Sequence, residues 1–239
     1  AKSIDFVSNT NNTQGLSLAS NSDAIVIGTN DFCVETWAYK THSVNNPSIL
    51  DFRNSAANEA TAIEWKTDSN SNLYMKTGGA TRITTTIENN RWYHLALSRN
   101  GSTTTMYVDG TSVGSWSDST NYSSNLTSFF KSQFDLNCGW RGKASNFRIT
   151  VGEPVYTSSF RPSTEPLTTT SQGVTSSNVK LLCCNDSSTV GGTVTPGTLL
   201  ATSLTASTDS PFDDPAGFVF GDAGDQNVIK CGSYVGNGS

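Results

Sequence analysis

Paired carboxylates are the first candidates for chemistry in this sequence, because hydrolysis of a glycosidic bond uses two of them. A retaining glycosidase holds a nucleophile and an acid about 5 to 5.5 Å apart, which on one strand requires a spacing of two residues. The chain has six glutamates: Glu35, Glu59, Glu64, Glu88, Glu153 and Glu165. None has an aspartate two positions later, so the sequence predicts that the protein is not an enzyme.

Histidine and cysteine, which also carry catalysis and metal binding, are few. His42 lies in a Ser/Asn-rich loop and His94 in a strand-like run. The five cysteines are Cys33, Cys138, Cys183, Cys184 and Cys231. Because their number is odd and no C-x2-C spacing occurs, the pattern favours free buried thiols over a zinc site. A bridge between Cys33 and Cys138 stays an alternative.

Aromatic rings in Ser/Asn/Gly-rich surroundings could bind saccharides, because sugars stack on rings and form hydrogen bonds with small polar groups. The rings in such surroundings are Trp116, Tyr122, Phe129, Phe130 and Trp140. Some of them could equally belong to the core, and the adjacent phenylalanines could pack under a loop or against another subunit. We take Trp116, Tyr122 and Trp140 as candidate ligand-binding residues.

The composition excludes several classes of protein. The 239 residues carry 15 Lys+Arg against 20 Asp+Glu, a net charge of −5, so the basic excess that a phosphate-neutralising nucleic-acid binder needs is missing. No stretch approaches the roughly 20 apolar residues of a membrane span, and the N-terminal segment lacks the pattern of a secretory signal. Ser and Thr make up about a quarter of the chain, which favours strands, turns and hydroxyl-lined surfaces.

The elements that must position these residues are short alternating runs, with no helical periodicity over three turns. Runs typical of strands are 24–27, 32–39, 48–52, 62–65, 72–75, 83–87, 92–97, 105–108 and 144–149. Turn signals separate them, among them Asn100-Gly101 and Asp109-Gly110, which tolerate the positive φ of a hairpin turn. Alternation over 92–99 places Tyr93, Leu95 and Leu97 on one face of a strand. The spacing predicts an antiparallel sandwich or barrel.

Several blocks in this order resemble the laminin G-like domains of the concanavalin A-like lectin/glucanase jelly roll. The blocks are 2–6 (KSIDF), 31–39 (DFCVETWAY), 91–101 (RWYHLALSRNG), 106–114 (MYVDGTSVG) and 141–150 (RGKASNFRIT). The resemblance implies an all-β, antiparallel jelly-roll sandwich over residues 1–168. It also implies that His94 is a packing and hydrogen-bonding residue beside Trp92.

The same resemblance implies calcium as the cofactor to consider, since such domains often hold it with carboxylate and backbone oxygens. Asp51, Asp109 and Asp135 are the candidate ligands, and Asp118 lies in a loop. No D-x-D-x-D-G loop is present, and Asp109 is equally explained by the turn that it begins. The primary expectation is therefore that no cofactor is bound, with calcium as the alternative.

Residues 169–239 are expected to form a β-rich extension or a linker to a further domain. The segment 155–162 (VYTSSFRP) resembles the tail of the phage and environmental versions of this domain, and 179–184 (VKLLCC) with 193–197 (TVTPG) resemble structural proteins of marine bacteriophages, especially cyanophages. Residues 227–239 (NVIKCGSYVGNGS) resemble the first strand of another phage repeat, so the chain could continue beyond Ser239.

These resemblances imply a non-enzymatic virion protein, made in the host cytoplasm and exposed on a phage particle as a tail fibre or capsid-surface appendage. Its jelly roll would attach to host-surface glycans. The alternative is a purely architectural decoration of the capsid or tail without a soluble ligand, and a glycoside hydrolase is a remote third. The expected partners are other virion proteins, host glycan and further copies of the chain, with neither nucleic acid nor membrane insertion.

Overall fold

The structure, a computed structural model, describes residues 2–6, 14–41, 46–135 and 138–212. His42, Cys231 and the motif at 227–239 lie outside the described residues. The described chain forms two antiparallel β-sheets that share one core, with only three short 3-10 turns at Asn21–Asp23, Ser171–Gly173 and Ser176–Asn178. The predicted all-β, antiparallel jelly-roll sandwich is confirmed. Among these residues no helix is long and apolar enough to span a membrane.

In the described residues the first sheet has nine strands and the second has seven. The first comprises β1 (Ser3–Phe6), β3 (Phe32–Lys40), β8 (Trp92–Asn100), β9 (Thr103–Val108), β10 (Thr111–Ser117), β12 (Gly142–Val151), β13 (Val179–Cys183), β14 (Gly192–Val194) and β16 (Thr205–Ser207). The second comprises β2 (Gly15–Leu18), β4 (Ser48–Asp51), β5 (Glu64–Thr67), β6 (Asn72–Thr77), β7 (Ala80–Thr86), β11 (Ser128–Phe129) and β15 (Leu199–Thr202).

The first sheet is ordered β10-β9-β8-β3-β12-β1-β16, and β13 also pairs with β12. The second is ordered β15-β2-β11-β4-β5-β6-β7. The alternation predicted for strand β8 is confirmed: Tyr93, Leu95 and Leu97 enter the core between the sheets, whereas Ala96 packs in a separate cluster with Tyr107. Successive side chains of a strand point to opposite faces, so each sheet has an inner face and an outer face.

One predicted strand is wrong. Residues 24–27 form no continuous ladder, because their backbone meets the segment 122–126 only at single bridges, Ile25 with Leu126 and Gly28 with Tyr122. Ile25 and Ile27 are buried in the core while Val26 is half exposed. The alternation of side chains is therefore present without the regular strand that it predicted.

The residues after 168 add strands to both sheets. Strand β13 pairs with β12, β16 pairs with β1, and β15 pairs with β2. The described part of the extension is thus β-rich, as expected. The domain boundary at residue 168 stays a prediction, and much of the region to 239 lies outside the described residues.

Candidate functional site

Two of the three candidate ligand-binding rings lie in the core. Tyr122 and Trp140 are fully buried; the Tyr122 hydroxyl donates to Asp118 Oδ2 at 3.0 Å and Trp140 Nε1 donates to the Lys143 carbonyl at 3.3 Å. The expectation that these two rings are exposed for stacking on a sugar is wrong. Their neighbours in the sequence are polar, but the rings themselves belong to the core between the sheets.

Trp116, the third candidate, is half-buried on strand β10. It packs against the core, and the guanidinium carbon of Arg82 lies 4.7 Å from its ring centroid. A cation over an aromatic face is attractive, so one face of this ring is already occupied by the protein. A ligand-binding role for Trp116 stays a prediction.

The three candidate calcium ligands do not form one site. Both carboxylate oxygens of Asp51 accept hydrogen bonds from Arg53. Asp109 lies on the β9–β10 turn, where it pairs with Arg91 at 2.6 Å and accepts the His94 backbone N–H. Asp135 lies in a loop next to Ser132, whose Oγ accepts its backbone N–H. Among the described residues no three metal-ligating side chains converge, and these aspartates do not fit a calcium site because cations of the protein already neutralise Asp51 and Asp109.

The outer face of the first sheet holds a buried polar cluster centred on Glu35. Arg148 Nε donates to Glu35 Oε1 at 2.8 Å, His94 Nε2 donates to Oε2 at 3.1 Å, and the Tyr156 hydroxyl donates to Oε2 at 2.7 Å. Burial favours the neutral acid, but the hydrogen bond from His94 and the charge of Arg148 outweigh it and lower the pKa of Glu35 from 4.5 to about 2. Glu35 is therefore an ionised structural anchor.

This face is closed by the chain that follows β12. The rings of Tyr156 and Phe160 are stacked with 3.5 Å between centroids, and the His94 ring meets Phe160 edge-on at 5.6 Å. On its other side His94 meets Trp37, which in turn contacts Phe212. His94 thus has the packing and hydrogen-bonding role that the resemblance implied. Because the cluster is fully buried, the outer face of the first sheet leaves no room for a ligand there.

Gly110 is the point at which this covering segment touches the β9–β10 turn. Its φ is +76°, a Cβ would overlap the Phe160 carbonyl oxygen, and the Phe160 N–H donates to its carbonyl. We expect Gly110→Ala to lower the free energy of unfolding by about 2–3 kcal/mol, from backbone strain plus overpacking. Gly101→Ala is the matched control, since φ is +59° with open space around the position, and should cost only about 1 kcal/mol. Equal losses in urea unfolding would contradict this account.

The outer face of the second sheet carries an ion-pair network that the sequence analysis missed. Asp51 and Glu64 are opposite each other on β4 and β5. Lys66 Nζ lies 2.6 Å from Asp51 Oδ2 and 3.1 Å from Glu64 Oε2, while Arg53 Nη2 lies 2.7 and 3.2 Å from the same two oxygens. The sequence does contain a pattern that indicates this network. In Asp-Phe-Arg at 51–53 and Glu-Trp-Lys at 64–66, alternation places two opposite charges on one face of each segment.

Both carboxylates of this network are paired with cations of the protein. Although burial favours the neutral form, the hydrogen bond from Arg53 and the charge of Lys66 outweigh it and lower the pKa of Asp51. All four side chains are at least nine-tenths buried, with Phe134 against Arg53 and Cys138 against Lys66, so the network is a covered cluster of balanced charge.

Two depressions open on the same outer face, on either side of this network. The groove, of about 250 Å³, lies over β6 and β7 and is lined by Asn46, Asp68, Asn72, Tyr74, Lys76, Thr81 and Thr84. The cleft, of about 370 Å³, lies beside β11 and is lined by Asn21, Asn54, Thr127, Ser128, Lys131, Ser132 and Gln133. Amide, hydroxyl and ammonium groups dominate both. We call this outer side of the second sheet, with the groove and the cleft, the open face.

A family model described as the concanavalin A-like lectin/glucanases superfamily matches residues 10–151. The chain belongs to this superfamily. Membership agrees with the two-sheet architecture and with the motif blocks in β3, β8–β10 and β12. No curated protein sequence matches the chain.

Two solved structures share the fold of this chain. A protein from Bacteroides ovatus assigned to carbohydrate binding superposes with a TM-score of 0.55 at 14% identity over 89% of this chain, which spans only 61% of that protein. The heptameric SAP-like pentraxin from Limulus polyphemus superposes with a TM-score of 0.50 at 15% identity, covering 86% of this chain and 94% of the pentraxin. At these identities the likeness concerns the fold alone.

Proposed function

We propose that this chain is a non-enzymatic carbohydrate-binding protein of a bacteriophage particle, and that saccharide binds on the open face of the second sheet. The particle position is a tail fibre or a capsid-surface appendage, with other virion proteins and further copies of the chain as partners. The glycan of a host surface is the ligand.

The observation that carries the binding role is the difference between the two outer faces. The first is covered over its central strands by the segment around Tyr156 and Phe160 and by Phe212. The second presents two depressions lined by amides and hydroxyls, the groups that form hydrogen bonds with sugar hydroxyls. Their lining strands, β11 and β6, are three strand spacings apart, roughly 14 Å. A short oligosaccharide spans that distance.

The groups that line the groove contact one another. Lys76 Nζ lies 5.0 Å from the centroid of the buried Tyr74 ring. The Tyr74 hydroxyl lies 3.5 Å from Asn46 Oδ1, and both Asn72 and Asn70 donate to Asp68. The groups of the groove are thus held in place by one another, which lowers the entropic cost of binding a ligand.

The particle assignment is supported by the resemblance of 155–162 to the phage and environmental versions of this domain, and of 179–184 and 193–197 to structural proteins of marine phages. In the structure, residues 155–160 cover the first sheet and 179–183 form β13, so these segments are parts of the sandwich. The absence of enzymatic activity is supported by the two candidate glutamates: Glu35 is sealed by Arg148 and His94, and Glu64 is paired with Lys66 and Arg53.

The proposal is tested by blocking the groove without disturbing the core. Thr84 is exposed on β7 within the groove, and Thr103 is equally exposed on β9 of the other sheet. We expect Thr84→Trp to weaken binding to a glycan array or to intact host cells at least about tenfold, roughly 1.4 kcal/mol, because the indole fills the groove. Thr103→Trp is the matched control and should bind as the wild type does.

Three outcomes would count against the proposal. Binding by neither the wild type nor the variants would favour the architectural alternative. Equal losses from Thr84→Trp and Thr103→Trp would place the ligand elsewhere. Release of reducing sugar from host polysaccharide by the purified chain would contradict the non-enzymatic role.

A further inference from the structure

We infer that the cleft beside β11 binds an acidic group of the saccharide, a carboxylate or a sulfate, through Lys131 and Asn54. This inference rests on the proposed function and names the class of its ligand, an acidic polysaccharide. The cleft combines an ammonium without an ion pair, an amide of fixed orientation and a lining free of carboxylates among the described residues.

Lys131 is a cation without a counter-charge. Within the part of the chain that the structure describes, its ammonium has no ion pair and no hydrogen bond. Its stem lies against Gly15, where a Cβ would come within 2.5 Å of Lys131 Cδ, so the side chain is held to the sheet. Burial lowers the pKa of Lys131, with no carboxylate acting in the opposite direction. A partly desolvated ammonium of this kind gains by taking an anion.

A chain of hydrogen bonds fixes the orientation of the Asn54 amide, which lines the cleft. The backbone N–H groups of Thr127 and Ser128 both donate to Gln133 Oε1, at 2.8 and 3.0 Å. Because backbone N–H groups are donors only, they fix the orientation of the Gln133 amide. Gln133 Nε2 then donates to Asn54 Oδ1 at 2.7 Å, which leaves the Asn54 Nδ2 donors directed away from Gln133. In the described residues these donors have no other partner.

The carboxylates of Asp51 and Glu59, near the cleft, already accept hydrogen bonds from groups of the protein. Asp51, which accepts a hydrogen bond from the cleft residue Ser132, is compensated by Arg53 and Lys66. Glu59 accepts the backbone N–H groups of Asn54 and Ser55 and the hydroxyls of Thr61 and Ser124. Among the described residues that line the cleft none is acidic, and Lys131 is the charged one.

The test uses three polymers with one backbone: dextran, carboxymethyl dextran and dextran sulfate, together with the host polysaccharide. We expect the wild type to bind the two acidic polymers more tightly than dextran, and Lys131→Gln to weaken that binding at least about tenfold, as expected for loss of a charge-assisted hydrogen bond. Lys131→Arg should retain the preference. Lys180→Gln, on β13 of the first sheet, removes the same charge elsewhere and should change nothing.

The outcomes separate this inference from the proposed function. Binding of dextran or host polysaccharide that is indifferent to acidic groups and to Lys131→Gln would overturn the inference and leave the proposed function standing. Binding of no polymer at all would overturn both. Weakening by Lys180→Gln as large as that by Lys131→Gln would show attraction by overall charge and would also overturn the inference. A preference for either acidic polymer supports the inference and identifies the acidic group as carboxylate or sulfate.

Discussion

Glu35→Gln is expected to lower the free energy of unfolding by about 3–5 kcal/mol, the usual cost of removing one partner of a buried ion pair. The substitution leaves the guanidinium of Arg148 without its counter-charge in a fully buried site. It also presents an amide N–H₂ group to donors, since Arg148, His94 and Tyr156 all donate to the two oxygens of Glu35. Urea unfolding followed by tryptophan fluorescence at pH 7 measures the loss.

The same variant has a predicted pH signature. The pKa of Glu35 is about 2 in the folded protein against an ordinary 4.5, so its carboxylate stabilises the fold fully above about pH 4.5 and loses that contribution as the pH falls towards 2. Other carboxyls with lowered pKa values, such as Asp51 and Glu59, titrate in both proteins. The difference in stability between wild type and Glu35→Gln should therefore shrink across this window.

Glu165→Gln is the matched control, because Glu165 is exposed. Its free energy of unfolding should stay within about 0.5 kcal/mol of the wild type at pH 7. A Glu35→Gln variant as stable as this control would show that the cluster does not hold the covering segment in place.

Trp140→Ala is expected to cause the second large loss of stability. The sequence analysis took this residue as a candidate for ligand binding, whereas the structure places it in the core. The ring is fully buried next to Phe130, so its removal should leave a cavity and cost about 3–5 kcal/mol. The half-buried Trp116 is the comparison: Trp116→Ala should cost clearly less, because part of its surface is already in solvent. Thermal unfolding of both variants gives the ranking.

Glycan affinity distinguishes a core role of Trp140 from a ligand-binding role. At a temperature where Trp140→Ala is still folded, the variant should bind host polysaccharide as the wild type does, because the ring does not reach the open face. A variant of normal stability that has lost binding would contradict the buried assignment and restore the predicted stacking role.

The sequence was most informative where alternation and turn residues act locally. Strand β8 and its hairpin with β9 follow from the period-two pattern at 93–97 and from Asn100-Gly101, whose glycine has the expected positive φ of 59°. The motif blocks also predicted the sandwich. Three of these blocks lie in β3, β8 and β12, which are neighbouring central strands of the first sheet. Such features depend on neighbours along the chain, which a sequence displays directly.

The candidate site depended on contacts between distant segments, which a single sequence does not display. Tyr122 and Trp140 stand among polar residues and yet are buried, since only the path of their loops decides which way a ring points. Asp51 is the one carboxylate of β4 and Glu64 is the one carboxylate of β5. Only the pairing of these two strands brings them together. The stem of Lys131 lies against Gly15 of β2, which is more than a hundred residues away along the chain.

In the proposed function, saccharide binds on the open face of the second sheet. Amide chemical shifts of the ¹⁵N-labelled chain, followed during titration with host polysaccharide fragments, test it most directly. The account predicts shifts at Asn54, Ser128 and Lys131 in the cleft and at Asn72 and Thr84 in the groove. Shifts confined to the side of the first sheet, around β9 and the segment at 155–160, would contradict it.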